Sequence, residues 1–300
     1  MPPSRPSSTA LTGTAPADVR LPEAAHVGGV RLQVSDLARS RAYYRDVLGL
    51  REMGAPTPDT VVFGAADGAT PLVTLHAVPG TTPAHRRGSF GLFHFAILLP
   101  DRAALGRFLA HLAARGERAG MSDHLVSEAL YLSDPDGLGI EVYADRAPDT
   151  WRHAEGQLVM ATDPLDAHGV VAAGGGTPWT GMPAGTVMGH VHLHVGDLQV
   201  SDTFYRRALG LDLTTWSYPG ALFFSAGGYH HHLGTNTWAP GPAPAADQAQ
   251  LVEWTLIVPT AADAAAIGQR MAAAGAPTVI DGESAVVTDP WGTRVRITAA

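Results

Sequence analysis

One phrase occurs twice in this chain of 300 residues. Residues 27–50, VGGVRLQVSDLARSRAYYRDVLGL, and residues 188–211, MGHVHLHVGDLQVSDTFYRRALGL, carry Gly, Val, Leu, Asp-Leu, Tyr-Arg and Leu-Gly-Leu at the same spacing. Two weaker copies open with LFHFAILLPD at 92–101 and LVEWTLIVPT at 251–260. These two also share a distal phrase, Asp134-Pro135-Asp136-Gly137 in one and Asp289-Pro290-Trp291-Gly292 in the other. Self-similarity at a fixed period means that one structural unit is reused, which restricts the chain to an array of like modules. Four modules result, at 26–80, 91–145, 187–240 and 250–298.

Each module reads alike. A short alternating strand comes first. An Asp then supplies a helix start, most clearly Asp36 and Asp197, because its carboxylate can accept from the first free backbone N–H groups. An amphipathic helix follows, 37–47 in the first module, with Tyr43, Tyr44 and Val47 at helical spacing. Leu-Gly-Leu ends it. Three short strands finish the unit, for example 221–226 and 229–238 around the turn Gly227-Gly228. The pattern is βαβββ, and the fold class is α+β, with four tandem βαβββ modules. The expected domains are a flexible tail at 1–22, an N-terminal domain at 23–148 and a C-terminal domain at 187–300. Residues 149–186 between them are rich in Gly, Pro and Asp without a sustained period, which predicts a linker on the surface.

Composition narrows the chemistry. The net charge is −8 and no basic stripe is present, which argues against nucleic acid as a partner. No stretch approaches the ~20 apolar residues needed to cross a bilayer, so no membrane span is expected. There is no Cys, which removes disulfides, thiolate metal ligands and thiol nucleophiles. All 20 Lys+Arg positions are Arg, which removes Schiff-base chemistry. The first twenty residues lack a basic start followed by an apolar run; no signal peptide is read and a cytoplasmic location is the default. Polar chemistry falls to 14 His, the carboxylates, Tyr, Ser and Arg.

A tandem βαβββ array with His on a first strand and Glu on a last strand resembles the vicinal oxygen chelate superfamily, which includes glyoxalase I, extradiol ring-cleaving dioxygenases and antibiotic-resistance proteins. The likeness covers all four modules. Residues 91–100 (GLFHFAILLP), 127–146 (SEALYLSDPDGLGIEVYADR) and 227–238 (GGYHHHLGTNTW) are similar to type I extradiol dioxygenases, close to the bacterial catechol 2,3-dioxygenases of CatE type. The resemblance implies the glyoxalase/bleomycin-resistance/extradiol dioxygenase fold, with modules paired into curved sheets.

In that superfamily each module offers one ligand position on its first strand and one on its last. Here these positions hold Gly29 and Thr74, His94 and Glu141, His190 and Thr235, and Glu253 and Arg296. Only pairing the second module with the third gathers His94, Glu141 and His190. Two His and one carboxylate is the ligand set of non-haem Fe(II) oxygenases, with open positions for substrate oxygens and O2. The first and fourth modules would then form a metal-free counterpart. The residues alone support Glu141 most strongly. It sits mid-strand between Ile140 and Val142, where an uncompensated carboxylate is costly. A lone His on an apolar strand is more often a packing residue. His192 shares strand parity with His190 and stands as an alternative ligand.

Further roles follow from the same resemblance. Strand alternation through 229–238 would put His231, Leu233 and Thr235 on the metal-facing side, which gives His231 the acid/base role and leaves His230 and His232 as buttresses. A bulge would exchange the faces. His124 is assigned to a substrate hydroxyl and Tyr131, ten residues before Glu141, to stabilising the oxygenated intermediate; a core aromatic is the plain alternative for Tyr131. Glu128 and Asn236 are expected to orient imidazoles. The implied activity is Fe(II)- and O2-dependent cleavage of catechol or a substituted catechol to a 2-hydroxymuconic semialdehyde, with Mn(II) accepted by the same ligands. The implied partners are a small aromatic diol and O2, and homo-oligomers occur in the superfamily. The alternatives on the same fold are a hydroquinone-cleaving dioxygenase, a glyoxalase-like metalloenzyme and a non-catalytic binder of aromatics or drugs.

Overall fold

The computed structural model describes residues 13–84, 89–239 and 241–300. The first module runs β1 (His26–Val34), α1 (Leu37–Asp46), β2 (Arg51–Thr57), β3 (Thr60–Gly64) and β4 (Pro71–Ala77). The second runs β5 (Gly91–Leu98), α2 (Arg102–Arg115), β6 (Gly120–Asp123), β7 (Ser127–Ser133) and β8 (Gly139–Asp145). A connecting segment holds β9 (His153–Ala154), β10 (Gln157–Leu158) and α3 (Ala167–Ala173). The third module has β11 (Val187–His194), α4 (Leu198–Asp202) continued by a π-helical stretch Thr203–Ala208, then β12 (Asp212–Thr215), β13 (Ala221–Ser225) and β14 (Leu233–Asn236). The fourth has β15 (Gln250–Val258), α5 (Ala261–Ala273), β16 (Thr278–Asp281), β17 (Ser284–Thr288) and β18 (Arg294–Ala299).

The helix starts follow the Asp signals. Asp36, Asp101 and Asp197 each accept a hydrogen bond from the backbone N–H three residues on. Gly116 ends α2 in the left-handed region at φ 72°, where a side chain would be strained.

The modules pair across the halves of the chain. One eight-stranded sheet has the order β16-β17-β18-β15-β1-β4-β3-β2 and joins the fourth module to the first. The other has the order β12-β13-β14-β11-β5-β8-β7-β6 and joins the third to the second. At each centre two opening strands run antiparallel, β1 beside β15 and β5 beside β11. Each closing strand lies parallel to its own module's opening strand. Residues 23–148 and 187–300 therefore build no sheet separately. One apolar cluster, including Leu32, Phe95, Leu193 and Trp254, draws on both sheets and the helices over them. Among the described residues no helix is long and apolar enough to cross a membrane.

Two expected loose segments are packed. Residues 149–186 lie mostly at the surface, yet Leu158, Val170 and Met182 are buried, and α3 lies against α2. The approach is so close that a Cβ on Gly106 would meet the Val170 carbonyl oxygen at 2.1 Å. Isolated apolar residues anchor this segment one at a time, which leaves no period to read. Of the expected tail, residues 1–12 lie outside the described residues, while 13–22 are tied to the third module. There Arg20 pairs with Asp212 at 2.6 Å, Ala15 N–H donates to Asp212, and Leu21 is buried.

Candidate metal centre

Three adjacent strands at the middle of the second sheet carry the site. Register places Glu141 beside Ala96 on one side and His190 beside Ala96 on the other. His94 stands two residues before Ala96, on the same face, opposite His192. The small side chain of Ala96 leaves a hollow ringed by His94, Glu141 and His190. Their ligand atoms all lie within 4.8 Å of one another, and all three residues are buried. His94 Nε2 lies 2.9 Å and His190 Nε2 3.2 Å from the same oxygen, Glu141 Oε2.

This donor set fits a divalent cation. His94 Nε2 has no hydrogen bond of acceptable geometry despite its short distance to Glu141. Two ring nitrogens converging on one carboxylate oxygen is an arrangement that a shared cation satisfies better than a hydrogen bond. Burial pushes the Glu141 carboxyl up, but the His190 and His94 imidazoles outweigh it and hold the group well below the usual carboxylate range. Burial pushes His190 down to about 4, against the opposing pull of Glu141. A neutral imidazole and an ionised carboxylate are the forms that ligate metals.

The fourth ligand position differs from the expectation. Thr235 faces the helix side, where its Oγ1 lies 2.9 Å from Ser201 Oγ. Gly234 is the residue aligned with His192, and a Cβ there would meet the His192 ring at 2.8 Å. The metal-facing side of β14 thus offers no ligand atom at this point.

A cavity of about 230 Å³ opens over the three residues. Phe93, Met160, Phe223 and Trp238 give it apolar walls, while His124, Tyr131, His192, Tyr218 and His231 bring polar groups to it. Thr162 from the connecting segment and Tyr218 from the third module are hydrogen-bonded to each other across its lining. A wider cleft of about 750 Å³ shares Phe93, His94 and Tyr131 with it. His192 lines the cavity with its Nε2 buried and unpaired, and burial keeps its imidazole well below the ordinary range.

His231 lines the cavity too, 4.1 Å from His190 between ring centroids. Alternation is not the cause. Leu233 is in the core and Thr235 faces the helix, so the strand's regular face containing them points away. Residues 229–232 precede β14 and follow the turn at Gly227 and Gly228, both at positive φ. That irregular run turns His231 inward. His230 lies behind it and reaches Asp145 at 2.9 Å. His232 accepts from the Ala226 N–H at 3.1 Å and closes the turn, and burial pushes it down to about 3.

His124 and Tyr131 form a unit. His124 Nδ1 lies 2.6 Å from the Ala161 carbonyl, so that nitrogen carries the proton. Its Nε2, 2.6 Å from Tyr131 Oη, is then placed to accept from the phenol. Burial, with Glu141 adding to it, raises the Tyr131 phenol well above its usual range and keeps it protonated.

Of the two residues expected to orient imidazoles, one does not. Glu128 bonds no imidazole; Arg102 holds it at 2.6 Å and Arg146 at 3.4 Å. Along β7 the site-facing positions are Ala129 and Tyr131, which puts Glu128 on the helix side. Asn236 does bond an imidazole, that of His194 at 2.7 Å, away from the three converging residues. In the other sheet the corresponding face is filled by ion pairs, Glu253 with Arg296 at 2.6 Å and with Arg294 at 3.2 Å. Of the cavity residues, Met160 and Thr162 come from the connecting segment, Tyr218 from a loop and Phe223 from β13, and no motif marks them.

The family model of the Glyoxalase/Bleomycin resistance protein/Dioxygenase superfamily matches residues 24–142 and 187–297, and the chain belongs to that superfamily. Within it, the chain is 42% identical over 258 residues to the catechol-2,3-dioxygenase of Bacillus subtilis, covering 84% of this chain and 90% of the relative. It stands, therefore, among the catechol 2,3-dioxygenase-like enzymes of the superfamily. A solved Bacillus subtilis structure described as a candidate dioxygenase superposes with a TM-score of 0.65 at 13% identity, over 93% of this chain and 86% of that one. Glyoxalase I from Zea mays gives a TM-score of 0.54 at 18% identity, over 92% of each chain. These two likenesses are of fold.

Proposed function

We propose that this protein is an extradiol dioxygenase that opens catechol, or a small substituted catechol, next to the diol to give a 2-hydroxymuconic semialdehyde. His94, Glu141 and His190 would hold Fe(II). The observation that carries the reading is this three-residue donor set at the floor of an aromatic-walled cavity, with Gly234 where a fourth ligand would stand. Support also comes from the 42% identical relative named catechol-2,3-dioxygenase.

Bound there, Fe(II) supplies a Lewis acid that lowers the pKa of a diol hydroxyl and brings diol and O2 together. The chain does the rest. Phe93, Phe223, Trp238 and Met160 hold the ring by apolar contact and keep water out. A dry cavity of about 150 Å³ takes up one benzene, so about 230 Å³ suits one ring with two oxygens and a small substituent. His231, with a free Nε2 in the cavity wall, exchanges a proton with the substrate oxygens. Burial holds its imidazole well below the ordinary range, so it begins as a neutral base. Tyr131, steadied by His124, offers a polar oxygen on the side of Glu141.

The test is reconstitution with Fe(II) under argon, then addition of catechol and air while following the yellow ring-opened product. His190→Ala is run in parallel. Colour in the wild type and none in the variant is the expected result. Bound iron without colour on catechol would overturn the catechol assignment, and failure to retain metal would overturn the metal reading.

A further inference from the structure

We infer that Asp145, acting through His230, decides which nitrogen of His231 carries its proton, and so presents a bare Nε2 to the diol. The inference rests on the reading of the cavity as a diol site. Two hydrogen bonds link three residues outward from the cavity. His231 Nδ1 lies 2.7 Å from His230 Nδ1. His230 Nε2 lies 2.9 Å from Asp145 Oδ1. At the inner end, His231 Nε2 is buried with no partner. At the outer end, the Asp145 side chain is 24% exposed. Asp145 stands four residues after Glu141 on β8, so one strand face serves both the metal centre and this link.

The direction of these bonds follows from donor chemistry. An ionised carboxylate only accepts, so His230 Nε2 must carry a hydrogen. Both rings are buried, and at pH 8, above the ~6.5 of an ordinary imidazole, the neutral form is the one to consider. A neutral His230 that is protonated at Nε2 has a bare Nδ1. That nitrogen can only accept, so His231 Nδ1 must donate to it. One proton is then left for the neutral His231 ring, and it sits on Nδ1. Its Nε2 faces the cavity as a lone pair. The opposite tautomer would point a hydrogen at the diol hydroxyl that must give one up.

Packing alone does not set this polarity. Tyr229, Tyr143 and Trp151 press on His230 with ring centroids 4.0, 6.0 and 5.4 Å away. Aromatic contacts fix where the ring lies but not which nitrogen is protonated. Asp145 supplies the one charged acceptor bonded to that ring, which makes it a positioning residue.

The experiment is a nitrogen-15 spectrum of the histidine side chains in the metal-free full chain at pH 8. His231→Gln identifies the His231 resonances by their loss. The expected wild-type result is a protonated Nδ1 and an unprotonated Nε2 on His231. In Asp145→Asn the amide can turn to donate, so the His231 pattern should reverse or become mixed, and Asp145→Glu should restore it. With the Fe(II) enzyme, Asp145→Asn should lower kcat by about 10–100-fold with KM little changed. A wild-type His231 protonated at Nε2, or an Asp145→Asn spectrum unchanged at His231, overturns the inference. If Asp145→Asn does not fold, the wild-type and Asp145→Glu spectra still decide. The expected tautomer in a protein that opens no diol would defeat the functional reading and leave this assignment standing.

Discussion

Replacing Glu141 by Gln should destabilise the metal-free protein and destabilise the metal-loaded one further. The carboxylate is 2% exposed, and the imidazoles of His94 and His190 at 2.9 and 3.2 Å outweigh burial and favour its ionised form in the folded chain. Gln stands in for the protonated acid, so the exchange gives up that preference. A hydrogen bond to a charged group is worth about 1.5–3 kcal/mol, and a loss of that order is expected. With metal the loss grows. Metal at a thousand times its dissociation constant stabilises the native state by about 4 kcal/mol. Loss of a ligand should weaken binding by at least the ~100-fold that loss of an outer partner can cost, which removes about 2.7 kcal/mol of that gain. Urea unfolding at pH 8, with chelator and then with Fe(II) under argon, measures both differences. A variant as stable as wild type in chelator, or one gaining as much from Fe(II), would refute the reasoning.

Three further outcomes are expected. Ala96→Val puts two methyl groups into the hollow between Glu141 and His190, and should abolish metal retention by elemental analysis while the far-ultraviolet spectrum is kept. Tyr131→Phe removes the hydrogen bond to His124; a loss of about 0.5–1.5 kcal/mol in urea unfolding is expected, together with a fall in kcat larger than any change in KM. His232 is held down at about 3 by burial, so the unfolded chain takes its proton first as pH falls below about 6.5. Stability is then lost at about 1.4 kcal/mol per pH unit down to the folded value. Asp134, which burial raises to about 6, works in the opposite sense and gains stability as pH falls from there toward about 4. Comparison with His232→Asn isolates the His232 part: between pH 7.5 and 4.5 the wild type should lose about 2–3 kcal/mol more than the variant. Parallel curves would contradict it.

The repeat carried most of the architecture, because an Asp helix start and a Leu-Gly-Leu stop recur where the backbone needs them. The pairing of modules came from the ligand positions that the resemblance implies, since only the second and third modules together collect two His and a Glu at them. What failed was side-chain direction wherever the backbone leaves the regular period. His231 reaches the cavity from an irregular run, whereas extending the strand through it relies on an alternation that the backbone does not follow there. Glu128 was misplaced because its strand has a charged residue on the helix side, where Arg102 and Arg146 neutralise it. Met160 and Thr162 were out of reach because the segment that holds them packs through single apolar contacts. Asp145 was within reach, four residues beyond Glu141 on the same strand face, but its partner His230 lies 85 residues away in sequence.

The most direct test of the central claim is the fate of labelled oxygen. The Fe(II)-loaded enzyme is given catechol and doubly labelled O2, and the product is trapped for mass spectrometry. The account predicts a ring opened beside the diol, with both labelled oxygen atoms in one semialdehyde molecule. A ring opened between the two hydroxyls, or an unlabelled product, would contradict it.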